Sequence, residues 1–216
     1  MSLRPCETAD RTLWVLAIDS AVWDLVCRLR SARTAFNTVI EVPHWTDTAI
    51  AELLQSRVAG AGITPGYDRM IEDIADLDDI DRREAVEAKN AAFMLLLWDA
   101  SDGNPGVALH LWRSVLGVAA DGSVFVRPLH PVVEAAIERL PLEALFVYRA
   151  VLRRTGATPE EIVAATRLSA GVVADVLRSG VQDGHLLVRN DGYHVSWDWY
   201  RALTRSLVRR HLGRVV

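Results

Sequence analysis

Residues 101 to 115, SDGNPGVALHLWRSV, hold the clearest concentration of groups that could do chemistry. Asn104 is a favoured N-cap type and Pro105 suits the first helical position, so a helix is expected to begin here. Backbone N–H groups at Gly106 and Val107 and the positive end of the dipole would be left free, an arrangement that can face a phosphate. Val107, Ala108, Leu109, Leu111, Trp112, Val115 and Leu116 make a broad apolar surface, and Gly106, His110, Arg113 and Gly117 line the remaining side. Arg113 is about 10 Å along the axis from Gly106 and reaches the helix start only if the helix tilts; otherwise it faces solvent.

The second group is cationic. In WDWYRALTRSLVRRHLGR, residues 197 to 214, Arg201, Arg205 and Arg209 follow i, i+4, i+8 and form one helical stripe. It could meet nucleic acid, acidic lipid or an acidic surface of its own chain. Arg178 and Arg189 are two further candidates for a nucleic-acid or partner surface.

Several chemistries find no footing. No G-x-x-x-x-G-K-[ST] occurs, and no apolar strand ends in a paired Asp and Glu, so neither a phosphate cradle nor a magnesium site is legible. DLDDIDRREAVE, 76 to 87, begins like a calcium loop, but Ile80 takes a ligand position and Asp81 replaces the required glycine. The six histidines lack ligand spacing, so no metal site is expected. No G-x-S-x-G or local Cys/His pattern offers a nucleophile. AGAGITPG, 59 to 66, reads as a helix stop and turn.

The elements that would position these groups fall into three stretches. Leu13 to Ile18 reads as a strand buried on both faces, followed by a helix through Val22, Leu25, Val26 and Leu29 and a second strand at 36 to 42. Helices are expected at about 46 to 60, with Thr46 as cap and Ile50, Leu53, Leu54 and Val58 inward, then at 67 to 76, 82 to 101 and 105 to 117. DGSVFVRPLHP follows as a turn and a short strand or extended link. The last third reads as three helices, with Gly156 stopping the first, Thr158 and Pro159 opening the second and Ser169 opening the third. A hairpin around Asp191-Gly192 completes a winged helix-turn-helix order. On the third helix Val172, Val173, Val176 and Leu177 are expected inward, and Gly171, Asp175, Arg178 and Gln182 outward.

With 216 residues, 50% hydrophobic and 24% charged, the composition is that of a globular chain of one large or two small domains. The net charge of -4 conceals opposite halves: residues 1 to 140 carry 13 basic and 21 acidic groups, residues 141 to 216 carry 11 and 7. Cys6 and Cys27 form no C-x-x-C pair or disulfide framework, so a cytoplasmic location is expected. AAFMLLLW, 91 to 98, is far shorter than the roughly 20 residues of a membrane span.

The order of a strand ending LAIDS, a helix, a strand, a helical stretch containing GNPGVALHLW and a winged helix resembles the C-terminal half of AAA+/STAND ATPases, in their origin-recognition-like branch. The likeness covers nearly the whole chain by layout and rests on two or three short motifs by residue. It implies a mainly α fold: the end of an α/β P-loop-type domain (1–45), a helical lid (46–118), a linker with a helix (119–140) and a winged helix (141–216). It also implies that Asp19 and Ser20 hold the first sensor position, and that Arg33 is an arginine finger for a neighbouring subunit, with Arg30 and Arg57 as other candidates. The second sensor region would lie at Gly103, Asn104, Pro105, Gly106, His110 and Arg113. Gly103, Asn104 and Pro105 match the family's lid motif, while Gly106 stands where the family places an arginine.

The resulting expectation is a regulatory portion that couples ATP binding and hydrolysis to assembly or partner binding. It would be inactive alone, with ATP and magnesium held by a Walker-containing core upstream or in another chain. A homo-oligomer is implied by the family, and the chain is expected to be a fragment or half of a split enzyme. Two alternatives come from other classes: a winged-helix DNA-binding regulator and a non-catalytic interaction adaptor. With Asp175 and Asp183 beside Arg178, the third helix is a poor phosphate surface, so a protein partner is favoured over DNA.

Overall fold

The computed structural model describes residues 15–18, 38–71, 79–132, 134–154, 156–210 and 212. The chain is mainly helical, with two small antiparallel sheets among the described residues. Side-chain caps start four of the eight α-helices among the described residues. In α1 (Asp47–Gly60) the Thr46 hydroxyl accepts from Ala49 N at 3.2 Å, and Asp47 lies in the first turn where the dipole favours it. Ile50 and Leu54 are buried, and exposed Arg57 occupies the last turn. A 3-10 turn (Asp68–Ile71) stands where a helix over 67 to 76 was expected; residues 72–78 lie outside the described set. α2 (Asp79–Ser101) begins three residues before the expected 82, so the calcium-like residues from Asp79 onward are helical.

Residues Asp102 and Gly103 turn the chain into α3 (Pro105–Val115), both with positive φ, 53° and 67°. The helix ends at Val115, short of the expected 117, because Leu116 swings to ψ 133°. Leu116–Val118 is instead strand β1, paired with β2 (Val124–Val126) so that Gly117 lies opposite Phe125. A Cβ on Gly117 would fall 2.4 Å from the Phe125 ring, so glycine lets that ring lie across the strand. These elements enclose a first core of Ile50, Leu54, Phe93, Leu97, Val107, Ala108, Leu111, Trp112, Val115 and Val126.

A strap through Leu129 and Val132 leads to the short helix α4 (Ala135–Glu138). α5 (Leu142–Leu152), α6 (Pro159–Thr166) and α7 (Ala170–Gln182) then pack pairwise. The α6 start is a full capping box: Glu161 N donates to Thr158 Oγ1 at 3.3 Å and Thr158 N donates to Glu161 Oε2 at 3.0 Å. Strands β3 (Leu186–Arg189) and β4 (Gly192–Val195) form a hairpin whose two-residue loop is Asn190–Asp191, with Gly192 already paired to Arg189. Ala157, between α5 and α6, adds a rung: its N donates to Tyr193 O at 3.1 Å and Tyr193 N donates to Ala157 O at 2.9 Å. Gly192, at φ 123°, lets that rung form, since a Cβ would meet Ala157 O at 2.7 Å. A 3-10 turn (Trp197–Trp199) leads into α8 (Tyr200–Arg209). The second core unites Leu145, Tyr148, Val151, Ile162, Val173, Leu177, Leu186, Leu203 and Leu207.

Three expectations need correction. Residues 15–18 and 38–42 form no strand, and Val15, Leu16, Ile40 and Val42 are exposed. A doubly buried strand needs pairing neighbours and covered faces, and among the described residues nothing supplies either. On α7, Val172 is exposed and Val176 half-buried, while Gly180 joins Val173 and Leu177 in the core. A Cβ on Gly180 would fall 2.8 Å from Leu186 Cδ1 and Tyr148 OH, so the helix approaches the hairpin there too closely for a larger residue. The last helix is shorter than 197 to 214. The expectations for Asp19, Ser20, Arg30, Arg33, Cys6 and Cys27 lie outside the described residues.

Candidate functional site

The arginine stripe of α8 faces the acidic residues of its own chain. Ala202, Leu203 and Leu207 bury one side of the helix in the second core, which forces Arg201, Arg205 and Arg209 toward the end of α2 and toward α4. Arg201 donates to Asp99 Oδ2 at 2.5 Å and to Glu134 Oε1 at 2.9 Å. Arg205 donates to Asp99 Oδ1 at 3.1 Å and lies 3.7 Å from Asp102. Arg209 bridges Glu134 at 2.9 Å and Glu138 at 2.6 Å. The Arg210 guanidinium donates to the Glu138 carbonyl oxygen.

The electrostatics explain the arrangement. Asp99 and Asp102 stand at the C-terminal end of α2, where the helix dipole is already negative and the last turn contains no basic residue. Two cations from α8 relieve that concentration of charge. Glu134, which precedes α4, accepts from two arginines at once. Arg201 is 18% exposed and Glu134 25%, so this pair is shielded, whereas Arg209 at 54% is largely in solvent.

The same surface reaches the start of α3. Pro105 has no N–H; Gly106 N and Val107 N donate to Asn104 Oδ1 at 2.9 and 3.2 Å, and Ala108 N donates to Asn104 O at 2.9 Å. The backbone donors expected to be free at Gly106 and Val107 are therefore taken by the cap. Trp197 covers the glycine, its ring 3.4 Å from where a Gly106 Cβ would stand. His110 Nε2 is 3.1 Å from Asp198 Oδ1, and its ring meets Trp197 edge-on at 5.6 Å. Gly103 is a packing residue: a Cβ would fall 2.7 Å from Trp45 O. Trp45 N donates to Gly103 O at 3.0 Å, Trp98 Nε1 donates to Trp45 O at 2.8 Å, and the His44 ring contacts Asp102 O. As arranged, this helix start does not fit a phosphate.

The other residues singled out in the sequence are scattered. Arg113 is exposed, with no ion-pair partner among the described residues. Arg178 is exposed and held by Asp175 at 2.5 Å. Arg189 is exposed on β3. Beside it the Asp191 carboxyl is held below its ordinary range, chiefly by the hydrogen bond from His194.

Sequence reasoning missed a buried polar cluster in the second core. His185, 4% exposed, shares a 3.1 Å hydrogen bond with Tyr148 OH and packs edge-on against Trp199 at 4.4 Å. Burial lowers the His185 pKa and pushes Tyr148 up to about 12. A lone histidine after Asp183-Gly184 carries no periodic signal that would have found it. Among the described residues no group of three or more His, Cys, Asp or Glu side chains is placed to hold a metal ion, and no helix is long and apolar enough to cross a membrane.

Comparison with protein-family models, curated proteins and solved structures finds no match.

Proposed function

We propose that this chain is the lid and winged-helix regulatory portion of an AAA+/STAND-type ATPase, acting beside a core that carries the Walker motifs and coupling its nucleotide state to assembly or partner binding. The observation that carries the reading is the ion-pair clasp: α8, which belongs to the second core, grips the end of α2, which belongs to the first. A movement imposed on the α2–α3 corner is therefore passed to the C-terminal half through Arg201 and Arg205. The three helices, the hairpin and the Ala157 rung support a winged-helix form for residues 141–216. In this reading Asp19 and Ser20 act as the first sensor and Arg33 as the arginine finger. On the same reading the α3 start holds the family's second sensor position, and its capped donors give it no direct contact with a phosphate.

The winged helix in this reading takes a protein partner. Its stripe of arginines is engaged within the chain, and the exposed face of α7 pairs its one arginine with Asp175. Neutralising phosphates supplies much of the affinity for DNA, and little free cation is presented there. The alternative of a DNA-binding regulator predicts salt-sensitive binding in fluorescence anisotropy at low ionic strength. A flat titration rejects it.

The test is to assemble the chain with its Walker-containing core and measure ATP turnover and assembly state. Arg205→Glu, which breaks the clasp without touching nucleotide, is expected to change turnover or assembly at least severalfold. Identical turnover and assembly in the variant would reject coupling and leave the adaptor reading.

A further inference from the structure

Where the two cores meet, the strap from Arg127 to Val132, the C-terminal half of α3 and the first turn of α8 enclose a cleft of about 470 Å³. That volume lies within the range of roughly 300–1,000 Å³ typical of small-molecule sites. We propose that the cleft binds a small amphipathic anion: an apolar body of one or two rings bearing a single carboxylate, sulfonate or phosphate group.

The apolar part follows from the walls, which include Leu111, Val115 and Val132. The anionic part follows from which polar groups in the wall already have partners. The two carboxylates there are engaged, Glu134 by the α8 arginines and Asp198 by His110. Of the two arginines, Arg201 is paired with Asp99 and Glu134, whereas Arg127 has no carboxylate within ion-pair distance among the described residues; its guanidinium donates only to the Ser114 and Leu116 carbonyls, at 2.8 and 3.4 Å. The free donor capacity facing the cleft is that of the Arg127 guanidinium, the complement of one anionic group. Because Leu129 of the strap packs on the first core and Val132 on the second, a ligand seated here touches both halves and tightens their union. The site is separate from the α3 start, so the proposal stands whether or not nucleotide acts on this chain.

The test is a fluorescence titration of the whole chain with anilinonaphthalene sulfonate, beside its uncharged analogue phenylnaphthylamine. The sulfonate probe is expected to saturate at one per chain and to bind at least about tenfold more tightly than the neutral probe. Arg127→Met is expected to erase that preference, and Ser114→Trp, which places an indole in the cleft from an exposed position, to abolish the saturable phase. Circular dichroism melts establish that each variant is folded, and the comparison of the two probes needs no variant. Equal affinity for both probes overturns the anionic class. Binding at several equivalent sites, or binding indifferent to both substitutions, overturns the cleft itself.

Discussion

At the start of α3 every backbone donor of the first turn has an acceptor within the chain: Asn104 supplies one side-chain oxygen to Gly106 and Val107 and its carbonyl to Ala108. Gly106 therefore matters for what lies over it. A Cβ there stands 3.3 Å from Asn104 Oδ1 and in contact with the Trp197 ring at 3.4 Å, so the longer side chain of Gly106→Arg is expected to crowd the cap and the indole. Urea unfolding is expected to show a loss of about 1–3 kcal/mol, and most of that loss should vanish in a Trp197→Ala background, where the obstacle is gone. An equal loss in both backgrounds would mean that Trp197 is not the group crowded. A second residue-scale prediction concerns His185. Burial lowers its folded pKa below the ordinary 6.5, so the unfolded chain binds a proton that the folded chain resists. Stability must then fall as pH drops through about 6.5 and continue falling until the folded imidazole itself protonates. Melting temperature measured between about pH 7 and 5.5 should decline more steeply for the wild type than for His185→Gln; parallel slopes would show that His185 is not the group responsible.

The helix α8 is amphipathic in an uncommon sense, with one face in the second core and the other a row of guanidinium groups directed at acids from two other helices. Exposure rises along the row, from 18% at Arg201 to 36% at Arg205 and 54% at Arg209, and solvent screening should grade the energies accordingly. Arg201→Met is expected to destabilise by about 2 kcal/mol, since it leaves Asp99 and Glu134 half-shielded with one cation fewer. Arg205→Met should cost about 1 kcal/mol and Arg209→Met less than about 0.5. Three equal losses in chemical denaturation would contradict the graded burial. How much of this was legible in the sequence depended on range. Caps act over three residues, so Thr46, Asn104, Thr158 and Ser169 announced four helix starts that the structure bears out. The stripe was legible too, because i, i+4 spacing is local. Its partners were not: Arg201 and Asp99 are 102 positions apart, and the charge asymmetry between the halves gave only the sign of the attraction. Apolar runs were misleading for the same reason. Residues 13–18 and 36–42 are hydrophobic enough for a buried strand, but hydrophobicity does not say what would pair with it. Leu116–Val118 looked like the end of a helix, and only pairing across the turn to Val124–Val126 made it a strand.

For the molecule as a whole, the consequence is two apolar cores joined by charged contacts at Asp99 and by apolar ones at Trp197 and Tyr200. Leu129 and Tyr200 pack on the first core and Val132 and Trp199 on the second; across the junction Arg201 and Arg205 of α8 pair with Asp99 of α2, whereas the pairs with Glu134 and Glu138 lie within the second core, to which Ile137 of α4 belongs. Junctions of this composition resemble transient interfaces more than the interior of a domain. Cooperativity between the cores should therefore depend on charge, whereas the stability of each core should depend on apolar burial, which salt affects much less. Calorimetry separates the two. At low ionic strength the chain is expected to unfold in a single transition, because opening one core removes the charged partners of the other. In about 1 M sodium chloride, where the Debye length is about 3 Å, the exposed members of the clasp are screened and the transition should broaden toward two. The double variant Arg201→Met/Arg205→Met should show two transitions even at low salt, with the total unfolding enthalpy nearly preserved because both cores remain. A single sharp transition in the double variant would mean that apolar contacts such as Trp197 on Gly106 couple the halves by themselves. The ion pairs would then be ornaments on a rigid junction, and the route proposed for passing movement from the α2–α3 corner to the C-terminal half would lose its physical basis.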